Sequence, residues 1–457
     1  MNLSYLLFTP SSLLTGAFLF VGNFCVISCM KRLWLILFLF LVSCENFLND
    51  GSKTNSKPNI LLIIADDMGL DATPGYNIGT IKPTMPNIEN LINNGIRFNN
   101  VWAYPTCTPT RSSIITGKYG FRVNVTKLGD ELSTSEISLQ KYLNNNSSYT
   151  TAVIGKWHLS NNINHPINMG VNYYAGLLNG GVQSYNNWKF SENGQTTTSK
   201  EYITTKFSDL AISWLENRVE PWFLWLAYTA PHTPFHLPPN NLHTKTNLPS
   251  DQASIDANPF PYYMAMIEAM DTEIGRVLSS LSKDVLNNTI IIFIGDNGSL
   301  NQVAQQYNSK RVKGTVYQGG INIPMIISGL GVSRINQTEN ALINTTDLFA
   351  TILDIAGINN NDINDSKSFK GLLSDKNSFN RDYVYSEIGK RTGGSDYTIR
   401  NATHKYIKFD HGNEALYNLS KNPFENPNLL SSNQLPLNAL NSAIKEELVS
   451  KLVEIRQ

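Results

Sequence analysis

Two apolar runs of the chain each end in side chains that carry oxygen. The run Asn59–Ala65 is followed by Asp66 and Asp67, and a later run is followed by Asp296 and Asn297. Ligands of open α/β sheets bind beyond the carboxyl ends of strands, and carboxylates brought together there repel unless a cation neutralises them. Each pair taken alone fits a helix or turn cap equally well. Together, three carboxylates and an amide predict a site for Ca²⁺, or less favourably Mg²⁺, rather than Zn²⁺.

A second candidate for chemistry is Cys107, which opens the segment Cys-Thr-Pro-Thr-Arg and is followed further on by Thr116-Gly117. Pro109 is placed to start a helix, so Cys107 is predicted to lie just before that helix, where free N–H groups stabilise an anion and activate a thiolate. Arg111, one turn later, is predicted to turn back toward residue 107. A cysteine phosphatase is disfavoured, because its phosphate loop is longer than the stretch between Cys107 and Arg111.

Similar apolar runs recur between helical patterns, which predicts an α/β domain with a large, mixed, mostly parallel sheet flanked by helices. The predicted strands are Asn59–Ala65, Thr151–Ile154, Trp222–Ala227, Thr289–Ile294 and Pro324–Ile327. The predicted helices are Pro86–Phe98, Tyr262–Leu281 and Thr346–Ala356. From Ser374 on, shorter elements predict a smaller α+β subdomain, with strands Asp382–Glu387, Tyr397–Arg400 and Lys405–Phe409 and a terminal helix Leu437–Ile455.

The N-terminal region has the features of a targeting signal. A positive segment at Met30-Lys31-Arg32 precedes the apolar run Leu33–Val42, which is too short to span a bilayer, and Ser43-Cys44 closes it. This order resembles a bacterial lipoprotein signal, which implies translation from Met30, lipidation of Cys44 and an anchor in the membrane of the cell envelope. A transmembrane anchor is the alternative. The predicted organisation is a signal region 1–44, a tether 45–58, a catalytic domain 59–373 and the C-terminal subdomain 374–457.

Composition narrows the possible functions. The 36 basic and 36 acidic residues balance, and no basic arm suggests a nucleic-acid partner. The cysteines are Cys25, Cys29, Cys44 and Cys107. If the signal is removed and Cys44 is acylated, Cys107 is the one free thiol, so no intramolecular disulfide framework is expected.

The pattern C-x-P-x-R-x-x-x-x-T-G at residues 107–117 resembles the signal by which the sulfatase family marks a cysteine for conversion to formylglycine. Thr110 stands where the family more often has Ser. Further matches follow in family order through the C-terminal subdomain, and Gln318 stands where the family usually carries Glu. These matches are Gly155–His158, Pro231–Pro234, Lys313-Gly314, Gly319-Gly320 and Glu414–Asn428.

The resemblance implies a role for each matching residue. Ca²⁺ would be held by Asp66, Asp67, Asp296, Asn297 and the oxidised side chain at Cys107. Lys156, Lys313 and His232 would bind the sulfate group, and Arg111 would help ionise residue 107. His232 would protonate the leaving oxygen, and His158 would take a proton from residue 107 so that sulfate is expelled. The implied partners are a sulfatase-maturating enzyme and a sulfated carbohydrate.

Alternatives remain at this level. A phosphoesterase of the same superfamily would use Thr or Ser with two zinc ions, and a lipid-anchored glycan-binding protein would keep the fold without activity. The favoured substrate is a sulfated polysaccharide or its oligosaccharides, such as the algal glycans ulvan or carrageenan. Its recognition is expected to depend on the loops Gly176–Lys200 and Leu237–Pro259. The aromatic residues Trp102, Tyr104 and Trp157 fit either sugar stacking or core packing.

Overall fold

The computed structural model describes residues 57–216, 218, 221–358 and 362–457. The predictions for Cys44, the signal region and most of the tether therefore lie outside the described residues. Within the described residues, no helix combines the length and the hydropathy needed to cross a bilayer.

Strands and helices alternate along most of the chain. The strands are β1 (Asn59–Ala65), β2 (Gly95–Phe98), β3 (Val101–Trp102), β4 (Thr150–Lys156), β5 (Tyr173–Leu177), β6 (Trp188–Glu192), β7 (Gln195–Ser199), β8 (Trp222–Ala227), β9 (Thr289–Gly295), β10 (Met325–Gly329), β11 (Gln337–Glu339), β12 (Ile343–Asn344), β13 (Asp362–Ile363), β14 (Ser366–Lys367), β15 (Val384–Gly389), β16 (Ser395–Arg400), β17 (His404–Lys408) and β18 (Glu414–Asn418). The α-helices are α1 (Pro86–Asn93), α2 (Cys107–Thr116), α3 (Leu139–Asn146), α4 (His165–Asn168), α5 (Ile203–Glu216), α6 (Gln252–Ala257), α7 (Phe260–Ser280), α8 (Lys283–Asn287), α9 (Gln318–Ile321), α10 (Asp347–Ile355) and α11 (Ala439–Arg456).

Ten strands form one mixed sheet in the order β11-β2-β10-β9-β1-β8-β4-β5-β6-β7. Its centre, from β9 through β1, β8 and β4 to β5, is parallel, whereas β10 and the β6–β7 hairpin run antiparallel to their neighbours. Because parallel strands end at the same edge, the residues that follow β9, β1, β8 and β4 are brought side by side. The predicted mixed, mostly parallel sheet is confirmed.

The central strands are buried on both faces, as continuous apolar runs require. In β1, Ile60, Leu62 and Ile64 pack into the core beneath α2, α3 and α10. The alternate residues Leu61 and Ile63 pack into the core beneath α1, α5 and α7. Each core thus fixes one layer of helices against the sheet, and α2 carries residue 107 on the first of these layers.

The C-terminal region forms an antiparallel sheet in the order β15-β16-β17-β18, followed by α11. One face of this sheet packs against α11 through Ile399, Tyr406 and Leu448. The opposite face, with Ile407 and Tyr417, packs against Val316, which belongs to a loop of the large sheet region. The predicted C-terminal α+β subdomain is confirmed, and its sheet contacts that loop directly.

Two parts of the large sheet differ from the prediction. The helix predicted over Pro86–Phe98 ends at Asn93, and Gly95–Phe98 is the strand β2. Ile96 and Phe98 are buried in the strand between β10 and β11, so sheet pairing outweighs the continued helical pattern. Strands β5, β6 and β7 were not predicted. Strand β7 has the sequence Gln-Thr-Thr-Thr-Ser, which contains no apolar residue. An alternation of apolar and polar residues therefore could not indicate a strand here.

Candidate active site

The residues that follow β1 and β9 meet at the carboxyl edge of the sheet. Asp66, Asp67, Asp296 and Asn297 are all fully buried. The backbone N–H of Asp67 donates to Asp296 Oδ1 at 3.1 Å, and Asn297 Nδ2 donates to Asp67 Oδ1 at 2.8 Å. The structure therefore brings together all four oxygen-bearing residues that the sequence singled out.

Three oxygens at this edge are buried and accept no hydrogen bond: Asp66 Oδ1, Asp67 Oδ2 and Asn297 Oδ1. Leaving such oxygens without partners costs free energy that a cation would recover. Ligand atoms of Asp66, Asp67 and His232 lie within 4.8 Å of one another, as do those of Asp66, Cys107 and Asp296. The donor set is that of a hard divalent cation, so these residues fit a metal.

The electrostatics of the carboxylates agree with this interpretation. Burial raises the pKa of Asp66 to about 8, and the neighbouring Asp296 and Asp67 add to the increase. Burial also acts to raise the pKa of Asp67, but Lys313 and His232 outweigh it and hold this pKa below its usual range. Like charges confined in a buried site need a compensating positive charge. A cation bound here would keep all three carboxylates ionised.

Helix α2 begins at Cys107 itself, with Thr106 as its N-cap in extended conformation. The prediction that Cys107 lies before the helix and that Pro109 starts it was wrong by two residues. The first N–H groups of a helix have no acceptor within it, so a proline at the third position loses no hydrogen bond. Gly117 ends the helix with φ 66°. Residue 107 therefore lies in the first turn of the helix.

Cys107 contacts a histidine. Its Sγ lies 3.1 Å from His158 Nδ1, and Thr108 Oγ1 lies 3.2 Å from His158 Nε2. Burial, with Lys156 and Arg111 adding to it, holds the pKa of His158 far below its ordinary value, so this imidazole is neutral. Burial also raises the pKa of the Cys107 thiol. The prediction of an activated thiolate is therefore wrong for the unmodified residue. Desolvation raises the thiol pKa by more than the nearby lysines lower it.

Arg111 is fully buried and bridges three elements. Its guanidinium donates to Asp296 Oδ2 and to the Lys156 carbonyl oxygen, each at 2.8 Å. Arg111 was predicted to turn back toward residue 107. Its hydrogen bonds go to the ends of β9 and β4, and the ligand atoms of its partner Asp296 and of Cys107 lie within 4.8 Å of each other. Arg111 thereby fixes α2 against the strands that carry Asp296 and Lys156.

Two lysines complete the charge of the site. Lys156, at the end of β4, pairs with Asp66, and Lys313, on the loop before α9, pairs with Asp67. Burial opposes protonation of Lys313, but Asp67 outweighs it and raises the lysine pKa above its ordinary value. Lys313 thus remains cationic beside residue 107, as binding of an anionic group requires.

His232 follows β8 and lies on the open side of the site. Its Nδ1 is 2.7 Å from the Thr233 carbonyl oxygen, and because a carbonyl only accepts, Nδ1 donates and Nε2 faces Asp67 Oδ2 at 3.7 Å. Burial lowers the pKa of His232 to about 4 despite Asp67. The backbone of this loop is braced by Tyr185, whose hydroxyl donates to the His232 carbonyl oxygen at 2.6 Å.

Sequence reasoning missed the contribution of Gly180, Gly181 and Tyr185. A Cβ on Gly180 would lie 2.2 Å from His158 Nε2, and a Cβ on Gly181 would lie 3.1 Å from His232 Cε1. Glycine at these two positions leaves room beside both histidines. The Gly-Gly pair inside the loop after β5 was the available signal, since adjacent glycines often mark close approach of a backbone to a site.

The two departures from the family motif have local explanations. The Thr110 hydroxyl accepts from the Tyr104 N–H at 3.0 Å and lies 3.2 Å from the Thr106 carbonyl oxygen. Gln318 is buried, and its side-chain oxygen accepts from Trp102 Nε1 at 3.0 Å. The carboxylate that contacts Gln318 is that of Glu425, which accepts from the Gln318 backbone N–H at 2.8 Å.

The aromatic residues left open by the sequence belong to the core. Trp102 and Tyr104 are fully buried, and Trp157 is 2% exposed. Trp157 Nε1 donates to His165 Nδ1 at 3.0 Å, which satisfies its polar atom inside the protein. Of the two interpretations, core packing is therefore the correct one for these three residues. None of them offers an exposed ring to a sugar.

Comparisons with known proteins agree with the site. The model of the family described as "Sulfatase" matches residues 58–358, and that described as "N-sulphoglucosamine sulphohydrolase, C-terminal" matches residues 307–456. The uncharacterized sulfatase YdeN of Escherichia coli (strain K12) is 28% identical over 69% of this chain and 66% of its own length, so the chain spans just under two thirds of that relative. An arylsulfatase of Klebsiella aerogenes is 24% identical over 67% of this chain and 88% of its own length.

A solved structure supports the same relationship. The crystal structure of Ps i-CgsB in complex with k-i-k-neocarrahexaose has a TM-score of 0.74 and 26% identity, and covers 88% of this chain and 94% of that chain. The sheet order and this similarity define an α/β fold of the alkaline phosphatase-like class. Within that class, the chain belongs to the sulfatase family. The resemblance seen in the motif at residues 107–117 is thereby confirmed.

Proposed function

We propose that this protein hydrolyses sulfate esters of a sulfated polysaccharide or its oligosaccharides, using formylglycine made from Cys107 and a bound Ca²⁺. The observation that carries the proposal is the position of residue 107. It lies 3.1 Å from a neutral histidine, at a sheet edge where three buried oxygens have no partner. An unmodified, protonated thiol in this position is a poor nucleophile, whereas a hydroxyl beside a cation and a base is a competent one.

The proposed modification replaces the CH₂–SH group of Cys107 by an aldehyde. This is a two-electron oxidation with loss of the sulfur, and it requires a maturating enzyme that brings its own electron acceptor. Hydrated formylglycine supplies one hydroxyl to attack sulfur and a second whose deprotonation expels sulfate. Ca²⁺, if held by Asp66, Asp67, Asp296 and Asn297, supplies positive charge that lowers the pKa of a bound hydroxyl and stabilises the sulfuryl oxygens.

The chain's own residues divide the remaining work. Lys156 and Lys313 lie beside Asp66 and Asp67, and their ammonium groups bind the sulfate oxygens as charge develops on them. On the far side of the sulfur, His232 Nε2 lies on the open side of the site, takes up a proton once the sulfate ester is bound beside it, and delivers that proton to the leaving oxygen. His158 accepts the proton of the remaining hydroxyl at residue 107, so that the carbon–oxygen bond to sulfate breaks.

The substrate class is proposed from the surroundings of the site and from the similar proteins. Ps i-CgsB binds k-i-k-neocarrahexaose, and this chain is 26% identical to it over most of its length. A sulfated galactan such as carrageenan is therefore the first substrate to test, with ulvan as the second algal candidate. The loops that flank His158 and His232 are lined by glycine and amide side chains, which suits a carbohydrate ligand.

The experiment compares protein expressed with a sulfatase-maturating enzyme and protein expressed without one. Desulfation of carrageenan and ulvan oligosaccharides is measured beside hydrolysis of the matching phosphate esters, with Cys107→Ala as control. Sulfate release that depends on maturation and is lost in Cys107→Ala supports the proposal. Faster hydrolysis of phosphate esters would favour the phosphoesterase alternative, and carbohydrate binding without turnover would favour the inactive glycan-binding protein.

We also propose that the protein is anchored in the bacterial cell envelope through a lipid on Cys44. The support is the order of positive segment, apolar run and cysteine over residues 30–44. Expression from Met30 with radiolabelled palmitate tests this proposal. Label in the membrane fraction that disappears in Cys44→Ala is the expected result, and an unlabelled protein would contradict it.

A further inference from the structure

Two cavities of opposite character flank the Gly180-Gly181 turn. The larger, of about 560 Å³, includes Asn179, Gly181, Gln183, Asn187, Lys189 and Thr198 in its lining. The smaller, of about 250 Å³, lies beside His158 and is lined partly by Asp130 and Glu131. The larger cavity falls within the size of ordinary ligand sites, roughly 300–1,000 Å³. It has no carboxylate in its lining, whereas the smaller cavity has two.

The larger cavity adjoins the leaving-group side of the proposed reaction. Gly181 lines it and, through its missing Cβ, lies against the His232 ring. A sugar whose oxygen contacts His232 is therefore separated from this cavity by Gly181 alone. Amide side chains and a threonine hydroxyl offer hydrogen bonds to sugar hydroxyls, and the exposed ammonium of Lys189 is the charged group of the lining.

We propose that this cavity binds a saccharide with a second anionic group, and that Lys189 recognises that group. The inference rests on the proposed function and adds to it a preference for multiply sulfated substrates. Lys189 is on β6 directly opposite Thr198 of β7, so a lysine and a hydroxyl lie on the same face of the hairpin. In the smaller cavity Asp130 is paired with Lys127 Nζ at 2.7 Å, and the lining adds Glu131 but no lysine or arginine, so Lys189 of the larger cavity is the group that attracts the second anion.

The test uses two pairs of probes that differ by one sulfate: ι- against κ-carrageenan disaccharides, and glucosamine 2-N,6-O-disulfate against its 6-O-monosulfate. The variants are Lys189→Met and a matched control, Lys200→Met, which removes an exposed lysine just beyond β7 that is outside the cavity lining. We expect Lys189→Met to lower kcat/KM for a disulfated probe about fivefold more than for its partner, mainly through KM. Lys200→Met should leave the ratio unchanged, and salt should shrink the preference.

An equal loss on both members of each pair, or no preference for the second sulfate in the parent protein, would overturn the inference. A binding measurement separates this outcome from failure of the proposed function. The dissociation constants of the same probes are measured by calorimetry in the Cys107→Ala background, where no turnover is needed. If the parent hydrolyses no sulfate ester, selective weakening of the disulfated probe by Lys189→Met still supports the cavity assignment, and its absence refutes it.

A different set of contacts leads to a second inference, about the loop that carries Lys313. Lys405 of the C-terminal sheet is fully buried, pairs with Glu425 Oε1 at 2.6 Å and donates to the Val316 carbonyl oxygen at 2.6 Å. Glu425 accepts from the Gln318 N–H with its other carboxylate oxygen, and its carbonyl oxygen accepts from Arg311 Nη1 at 2.9 Å. The ion pair therefore touches the loop on both sides of Lys313.

The same loop is fixed to the site at its tip. The Lys313 N–H donates to the Ser299 carbonyl oxygen at 3.2 Å, and the Gly314 N–H donates to the Pro105 carbonyl oxygen at 2.8 Å, just before α2. The geometry assigns Lys405 and Glu425 as positioning residues that hold Lys313 over Asp67. The C-terminal subdomain, in this account, sets the position of one of the two lysines that bind the transferred group.

A double-mutant cycle tests this assignment, with Lys313→Ala on one side and the neutral pair Lys405→Met/Glu425→Gln on the other. Replacing both partners avoids leaving one buried charge alone. We expect the neutral pair to lower kcat about tenfold with little change in KM, and to cause no further loss when Lys313 is already alanine. Thermal unfolding of all four proteins controls for stability.

A tenfold loss in both backgrounds would show a general structural effect and overturn the assignment. An unchanged kcat in the neutral pair would overturn it too. If Lys313→Ala itself leaves kcat unchanged, the role of Lys313 in the proposed function fails, and the positioning assignment fails with it. Failure of the proposed role of Lys313 is seen in Lys313→Ala alone. Failure of the positioning assignment is seen in the neutral pair, so the two failures are distinguishable.

Discussion

The candidate site has two sides that are built differently. The metal side consists of Asp66, Asp67, Asp296 and Asn297, which directly follow strands and are fully buried. The substrate side consists of loop residues, among them His232 and Lys313, whose side chains remain 19% and 11% exposed. Strands hydrogen-bonded in a parallel sheet fix the metal side, whereas side-chain contacts such as Tyr185 and Lys405 hold the substrate side. Backbone pairing therefore fixes the residues proposed to hold the metal, and side-chain contacts fix those proposed to contact the sulfate and the leaving group.

The largest expected effect is at Cys107, where the two sides meet. Cys107→Ala should lower turnover of any sulfate ester by at least about 10⁴-fold, since it removes the proposed nucleophile. Folding should be retained, because only a small side chain is removed. The measurement is sulfate release together with the circular dichroism melting curve. Residual activity near the parental rate would show that residue 107 is not the nucleophile.

The next effect concerns the metal side. Chelation should lower activity about 10³-fold, and added Ca²⁺ should restore it, because the buried carboxylates lose the charge that orders them. Asp67→Asn should produce a similar loss and require more Ca²⁺ for half-maximal activity.

Asp71→Asn is the matched control for this prediction. Asp71 is equally buried and close by in sequence, but its oxygens accept from Ser299 Oγ at 2.6 Å and from the Gln305 N–H at 3.1 Å. Its substitution should affect stability without changing the Ca²⁺ requirement. Activity that resists chelation in the parent protein would contradict a metal site at this edge.

A smaller and selective effect is expected on the substrate side. His232→Asn should lower kcat about 10²-fold for a sugar sulfate, whose alkoxide must be protonated as it leaves. For 4-nitrophenyl sulfate the loss should be less than about tenfold, because that leaving group needs no proton. His236→Asn, on the same loop, serves as control. Equal losses on both substrates would remove the general-acid role from His232.

The smallest expected effect is on stability in acid. Burial lowers the pKa of His236 to about 4, below the ordinary value of 6.5. Because the folded form has the lower pKa, its contribution to stability is present above pH 6.5 and is lost as the pH falls toward 4. Allowing for the partial exposure of the ring, we expect the free energy of unfolding to fall by about 1 kcal/mol between pH 7 and pH 5 because of His236.

The measurement is urea unfolding of the parent and of His236→Asn at pH 7 and pH 5. The parent should lose more stability between these pH values than the variant does. If the parent and the variant lose the same stability, then protonation of His236 does not contribute to the acid sensitivity of the protein.

The same two sides explain what the sequence predicted. Buried central strands such as β1 and β8 are continuous apolar runs, so their bounds and the residues that follow them were predicted correctly. The hairpin β6–β7 and the Gly180-Gly181 turn are polar and partly exposed, so no periodicity revealed them. The hydrogen-bond partners of Arg111 were not predicted, because they are acceptors at the ends of β4 and β9 that are distant in sequence.

The most direct test of the account is the mass of the peptide that carries residue 107, measured on the same purified sample whose desulfation rate is known. The account predicts that the CH₂–SH group is replaced by an aldehyde or its hydrate, and that the rate rises in proportion to the fraction replaced. A sample that cleaves sulfate esters at full rate while residue 107 remains an unmodified cysteine would contradict it.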